Sequence, residues 1–280
     1  MLAQEFMRNA LVAGTFVGAA CGLVGWFVVL RAQVFAGDAL GHAAFTGALA
    51  AAAFGVDVRV GLFAATVAGG LAMGALGERA RADDVVIGTL FAWSLGLGVL
   101  FLSLFTRRHS AGNGSAGVRV LFGSIFGLSG SDVRVSIALA LLAIVAILVV
   151  ARPLVYASID ASVAAAQGVP VRALGLLFLA VVGVVAAQAT QAVGALLLLG
   201  LLAAPAGAAH RLTSRPYRGL ALSAAFAVLS VWLGLALAYA FPTLPPSTMV
   251  VATATAIYVS ALVVASRSRI RTWPRRIVHA

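Results

Sequence analysis

The sequence predicts an all-α fold, a polytopic bundle of about nine transmembrane helices. Of its 280 residues, 62% are hydrophobic and only 10% are charged, whereas soluble domains are about 45–50% apolar and about 25% charged. Apolar runs of about 20 residues recur along the whole chain, and each is long enough to cross about 30 Å of hydrocarbon. No stretch long enough for a soluble domain lies between them, so we expect one transmembrane domain over residues 1–280.

The individual spans are predicted from the positions where the apolar runs break. The breaks contain arginine, acidic residues, glycine, proline or other polar groups, which are rare or disruptive in a membrane-spanning helix. The predicted spans cover residues 10–30, 38–55, 60–77, 85–105, 134–151, 173–188, 192–209, 219–240 and 248–266. Before the fifth span, the piece "VLFGSIFGLSGSD" is too short to cross the membrane and is predicted to form a half-helix at its surface.

Glycines at every fourth position of the first span predict close helix packing. Gly14, Gly18 and Gly22 fall on one face of a helix, and the absence of side chains there lets a neighbouring backbone approach. We expect a scaffolding role for this face.

The arginines predict the orientation of the chain in the membrane. The sequence contains no lysine, so its net charge of +11 comes from 19 arginines. If the N-terminus lies outside, the inner connections and the C-terminal tail hold thirteen of those 19 arginines, as the positive-inside rule requires. The C-terminus is then cytoplasmic. Basic patches flanked by aromatic residues are missing, so the charge does not indicate nucleic-acid binding.

One ionisable pair lies inside a predicted span, in the stretch "FAGDALGHAAFTG". The spacing of four places Asp38, His42 and Thr46 on one helix face, and ionisable groups within a span usually face a bundle interior or a water-filled path. Carboxylate and imidazole together suit Zn²⁺, Mn²⁺ or Fe²⁺, and an imidazole also suits proton relay. The alternative interpretation is structural, with Asp38 capping its helix and His42 hydrogen-bonded to it.

The connection over residues 153–172 predicts a short helix at the cytoplasmic surface. Asp160 can cap a run of Ala and Val residues that includes Ala164 and Ala165, Gly168 can end it, and Pro170 prevents its continuation. From the residues alone, a plain interfacial loop remains an equal alternative.

An energy source within this chain is excluded by the missing lysine. The nucleotide-binding P-loop requires a lysine that contacts the phosphates, and no lysine is present. Any ATP-driven process would need a separate polypeptide, and no pattern typical of an enzyme active site is found.

Three stretches together resemble the permease subunits of ATP-binding-cassette importers for zinc, manganese or iron. They are "FAGDALGHAAFTG" with Asp38 and His42, "SIDASVAAAQGVPVR" from Ser158, and "TQAVGALLLLGLLAAPAGAAHRLT" from Thr190. Each is weak alone, but they occur in the family's order at the family's distances. In that family the second stretch forms the coupling helix that docks on the ATPase.

The resemblance implies a single permease domain of the type II importer kind, which carries the metal as cargo and hydrolyses no ATP itself. It implies a homodimer with the ion path at its centre, ATP-binding-cassette subunits below, a metal-binding receptor protein above, and Asp38 and His42 on the path. The "GDALGH" form, with Gly41 before the histidine, resembles zinc permeases more than manganese permeases. A proton-coupled secondary transporter with Asp38 and His42 as its relay is the alternative, and a purely structural membrane protein is the third possibility.

Overall fold

The computed structural model describes residues 4–77, 83–108, 123, 125–195 and 197–272. Within these ranges all regular secondary structure is helical. The α-helices are α1 Glu5–Leu30, α2 Val34–Phe54, α3 Val58–Leu76, α4 Asp84–Arg108, α5 Gly130–Ile159, α6 Ala161–Ala166, α7 Val171–Val193, α8 Leu198–Leu212, α9 Pro216–Ala240 and α10 Pro246–Thr272. The predicted all-α fold is confirmed.

The predicted count of about nine spans is not confirmed. Among the described helices, 7 are long and apolar enough to cross a membrane, and α2 and α8 are not among them. Helix α8 has only 15 residues, which cover about 22 Å at 1.5 Å per residue. Helix α2 has 21 residues, but Asp38, His42 and its glycines lower its hydropathy. The two exceptions include the helix that carries the ionisable pair.

Helices α1 and α7 form the centre of the bundle. In each of them, 72% of the most apolar window is buried inside the protein. Helix α1 packs against α5, α8 and α9, and α7 packs against α2, α3 and α5. The group α2–α3–α4 therefore lies on one side of this centre, and the group α8–α9–α10 lies on the other.

The predicted glycine face of α1 is confirmed as a packing surface. A Cβ atom on Gly22 would lie 2.5 Å from the Ser223 carbonyl oxygen of α9, and one on Gly14 would lie 2.6 Å from Val231. The Ser223 hydroxyl donates a hydrogen bond of 2.5 Å to the Gly22 carbonyl oxygen. Backbones in such contact leave no room for a side chain, which explains the spacing of four.

The predicted end of the fifth span at residue 151 is wrong, because α5 continues through Pro153 to Ile159. Proline lacks a backbone N–H, so it removes one helical hydrogen bond, but membrane helices tolerate this where neighbouring groups compensate. The helix ends instead at Ile159, and Asp160 is both the C-cap residue of α5 and the N-cap residue of α6.

The predicted break between the sixth and seventh spans is also displaced. Residues 189–191 are helical, and α7 ends only at Val193. The break lies at Gly194, whose φ of 91° and ψ of 158° belong to a region that is essentially restricted to glycine. The local backbone requirement, rather than the polar side chains of Gln188 and Thr190, therefore ends the helix.

Polar contacts at both ends of the bundle fit the predicted alternation of the spans. Arg59 at the start of α3 forms an ion pair with Asp132 at the start of α5. At the opposite end, His210 Nε2 lies 3.0 Å from the Trp26 carbonyl oxygen, and the two rings stack. His210 thus joins α8 to α1. His109 and His279 lie outside the described residues.

The predicted half-helix before α5 is described only in part. Residues 125–127 form one 3₁₀ turn, and the side chain of Ile125 is buried beside Gly14. The glycine- and serine-rich stretch 109–117 lies outside the described residues.

We expect Gly25→Ala to lower the free energy of unfolding by about 1–3 kcal/mol, the usual cost of overpacking. Its Cβ would lie 2.0 Å from the Leu202 carbonyl oxygen of α8, so α1 and α8 would have to separate. Gly96→Ala on α4 is the matched control, because nothing lies within 4 Å of its Cβ position. Thermal unfolding in one detergent checks both variants, and equal midpoints would contradict this packing.

Candidate metal path and partner-docking helix

The predicted ionisable pair lies on a regular helix. Because Val34–Phe54 is continuous α-helix, Asp38, His42 and Thr46 share one face of α2. The side chains of Asp38 and His42 are half-buried. The structure thus brings the two predicted metal ligands onto one partly enclosed surface.

The capping alternative for Asp38 does not fit the observed helix. Helix α2 begins at Val34, and its N-cap residue is Gln33. Asp38 is then the fifth residue of the helix, beyond the position at which a side chain caps the first turn. The carboxylate therefore has no capping role.

The face with Asp38 and His42 is turned towards α4. The His42 ring contacts the Phe91 ring edge to face, with the centroids 4.9 Å apart. One turn further along, the Thr46 hydroxyl donates a buried hydrogen bond of 2.6 Å to the Ser94 carbonyl oxygen. Phe91 and Ser94 are one turn apart on α4, so this helix follows the polar face.

The two glycines of the "GDALGH" stretch lie on a different face of α2. A Cβ on Gly37 would lie 2.6 Å from Leu202, and one on Gly41 would lie 2.9 Å from Leu198 and 3.3 Å from the Ala195 carbonyl oxygen. These two glycines therefore let α2 pack closely on α8 and on the α7–α8 corner, while Asp38 and His42 lie on the side towards α4.

The two predicted ligands, Asp38 and His42, do not belong to a larger cluster of candidate metal ligands in the part of the chain that the structure describes. Among the described residues there is no group of three or more His, Cys, Asp and Glu side chains that could hold a metal ion. Two ligands do not bind a transition metal tightly, but they suit a path on which an ion must bind and then leave.

The predicted short helix is present as α6, which immediately follows α5. Asp160 Oδ1 accepts hydrogen bonds of 2.9 Å from the backbone N–H groups of Ser162 and Val163. Gly168 follows the helix with a φ of 82°, a conformation that glycine adopts readily, and Pro170 immediately precedes α7. The loop alternative is wrong, because residues 161–166 are helical.

The two predicted contact alanines of α6 differ in exposure. Ala164 is 0% exposed, whereas Ala165 is exposed to solvent. Ala165 also lines a groove of about 1100 Å³ between α6, the end of α3 and the start of α7. Of these two alanines, only Ala165 is accessible to a partner protein.

A buried turn between α1 and α2 was not predicted from the sequence. Arg31 and Gln33 are each only 2% exposed, and Arg31 Nε donates a hydrogen bond of 3.0 Å to Gln33 Oε1. The Arg31 guanidinium also lies over the Phe178 ring of α7, 5.1 Å from its centroid. The sequence signal was an arginine at the end of an apolar run, a pattern that indicates orientation but does not indicate burial of the side chain.

Comparison with known proteins identifies a family. Residues 3–265 match the family described as ABC 3 transport family. The chain is 30% identical over 236 residues to the manganese transport system membrane protein MntC of Halalkalibacterium halodurans, covering 84% of this chain and 79% of that protein. It is 30% identical over 207 residues to the chelated iron transport system membrane protein YfeD of Yersinia pestis, covering 72% and 67% of the two chains.

A solved structure has the same fold. A chain in the structure of PsaBC from Streptococcus pneumoniae in complex with Fab superimposes with a TM-score of 0.81 at 25% identity, over 95% of this chain and 94% of the other. The resemblance carried by the three motifs is confirmed, and the chain is a multi-pass membrane protein that belongs to the ABC 3 transport family.

Proposed function

We propose that the chain is the permease subunit of an ATP-driven importer of divalent transition-metal ions. The observation that carries this proposal is the half-buried face of α2, on which Asp38 and His42 lie one turn apart. An ionisable side chain inside a membrane helix bundle indicates an ion path more often than a structural role. Membership of a transport family supports a transport role for this face.

The incomplete ligand set supports a homodimer. Two Asp38–His42 pairs related by a twofold axis would supply four ligands, a set suited to a transition-metal ion. The ion then binds between two chains and is released when the chains move relative to each other.

We propose manganese, rather than zinc, as the preferred cargo. The relatives compared above are named for transport of manganese and of chelated iron, and the sequence-based preference for zinc depended on Gly41, which packs against α8. Cellular manganese, iron and zinc should be measured together in strains with and without the gene. We expect manganese to fall most in its absence, and unchanged levels of all three metals would contradict the proposal.

The ATPase and receptor subunits are proposed at opposite ends of the bundle. Helix α6 projects at the end where α3 and α5 finish and α7 begins, and its exposed Ala165 gives a small surface for an ATPase. A metal-binding receptor protein would then bind at the other end, where α1, α3 and α5 begin.

We expect a reporter fused after Ala280 to be cytoplasmic. The basis is the excess of arginine in the connections on that side, including Arg152, Arg172 and Arg211. A reporter that is active only outside the cytoplasm would reverse the orientation, and with it the side proposed for the ATPase.

Phe91 is expected to position the His42 ring for metal binding. An edge-to-face ring pair contributes about 0.5–1.5 kcal/mol, so Phe91→Ala should raise the manganese concentration for half-maximal uptake by about twofold to tenfold. Phe91→Tyr keeps the ring and should behave as wild type. Trp93→Ala is the control on α4, because that side chain is 69% exposed. Unchanged uptake by Phe91→Ala would show that the ring contact has no role.

A further inference from the structure

A second pocket, distinct from the α2 face, lies between the ends of α1, α8 and α10. Its volume is about 620 Å³. Its walls include the apolar side chains of Val29, Leu30 and Leu262, together with Tyr258, His210 and Arg211. Because α1 and α8 both finish within two residues of this pocket, it lies at one end of the bundle.

The polar wall of the pocket is cationic and partly fixed in place. Arg211 is exposed in the last turn of α8. The neighbouring His210 ring is held by its contact with the Trp26 carbonyl oxygen and by stacking on the Trp26 ring. Among the described residues that line the pocket there is no carboxylate. An anion entering here would meet Arg211 without competition from an acidic side chain.

The apolar wall indicates that the anion carries hydrocarbon. Leu262 of α10 is 40% exposed, and the pocket has both an apolar and a cationic side. Gly207 keeps the wall open at the Tyr258 ring, since a Cβ at this position would lie 3.0 Å from that ring. A free inorganic anion would use the arginine but would leave the apolar wall in contact with water.

We propose that this pocket binds an anionic phospholipid from the leaflet at the arginine-rich end of the bundle. The headgroup phosphate would contact Arg211, and one acyl chain would lie along Val29, Leu30 and Leu262. Basic pockets between membrane helices recognise anionic headgroups in this way, at about 1 kcal/mol for each cationic side chain. The lipid would join α1, α8 and α10 at one end of the bundle.

Native mass spectrometry of the purified full-length protein tests this site. Phosphatidylglycerol and phosphatidylcholine with identical acyl chains should be titrated separately, and we expect tighter binding of phosphatidylglycerol. Arg211→Gln should weaken phosphatidylglycerol binding by about fivefold. It should weaken phosphatidylcholine binding less, because the choline cation already offsets the charge of that phosphate. Arg211→Lys should retain most of the preference, because the positive charge remains.

Two further variants distinguish binding in this pocket from general electrostatic attraction of the lipid to the protein. Arg215→Gln removes an exposed arginine that follows α8 but is absent from the pocket lining, so it should retain the preference. Ala265→Phe fills the pocket without a change of charge and should reduce phosphatidylglycerol binding as strongly as Arg211→Gln does.

Three outcomes would overturn the proposal. They are equal binding of the two lipids by the wild type, equal losses in Arg211→Gln and Arg215→Gln, and full displacement of phosphatidylglycerol by inorganic phosphate. The last result would identify a site for free anions.

Discussion

Asp38→Ala and His42→Ala are each expected to reduce manganese accumulation by about tenfold or more while the protein still reaches the membrane. Each substitution removes one of the two candidate ligands that a chain contributes, and changes around a metal ligand alone already cost about 10–100-fold in affinity or activity. Because both side chains are half-buried on one face of α2, the two losses should be similar. Accumulation is measured in cells that express each variant at the wild-type level.

The control for lost charge is Asp57→Asn, which removes a carboxylate that caps α3 outside the proposed path. It should leave accumulation within about twofold of wild type, because asparagine caps a helix about as well as aspartate does. If Asp38→Ala and His42→Ala also retain near-normal accumulation, the α2 face does not carry the ion.

Ala165→Arg is expected to prevent co-purification of the partner ATPase and to abolish transport-linked ATP hydrolysis. Ala165 is exposed on α6, so an arginine adds bulk and charge to the proposed docking surface without entering the bundle. The thermal unfolding of the isolated permease should therefore stay unchanged. Pull-down of the tagged permease, followed by an ATPase assay, measures both effects.

Two matched Ala-to-Arg substitutions make this test specific. Ala164 is 0% exposed, so Ala164→Arg should destabilise the permease itself, because it buries an unpaired charge. Ala240 is exposed at the opposite end of the bundle, and Ala240→Arg should retain the ATPase. Normal ATPase binding by Ala165→Arg would instead favour the connection after α8, over residues 210–219, as the docking element.

The positions of most helices follow from the sequence because the apolar runs are long and their breaks are polar. The predicted breaks were wrong where the residues are compatible with both a helix end and a helix interior. Pro153 is compatible with both a helix end and a helix interior, and α5 continues through it. Residues 189–191 include the polar Thr190 and Gln191 but are helical, and α7 ends only where Gly194 adopts a conformation that other residues avoid.

The sequence predicted which site residues share one helix face, but it did not predict which residues of different helices are in contact. Helical periodicity placed Asp38, His42 and Thr46 on one face, and the structure confirms that register. The contact between His42 and Phe91 joins residues from different helices, and no periodicity within one helix predicts such a pair. The opposite exposures of Ala164 and Ala165 also depend on how α6 packs against its neighbours.

ATP-driven movement of the metal can be measured as manganese uptake into proteoliposomes. The purified permease should be reconstituted with its ATPase and its receptor protein, with radioactive manganese and the receptor on one side and ATP on the other. We expect uptake that requires ATP hydrolysis and is lost in His42→Ala. Uptake by the permease alone, driven by an imposed proton gradient without ATP or ATPase, would contradict it and identify a secondary transporter with Asp38 and His42 as its proton relay.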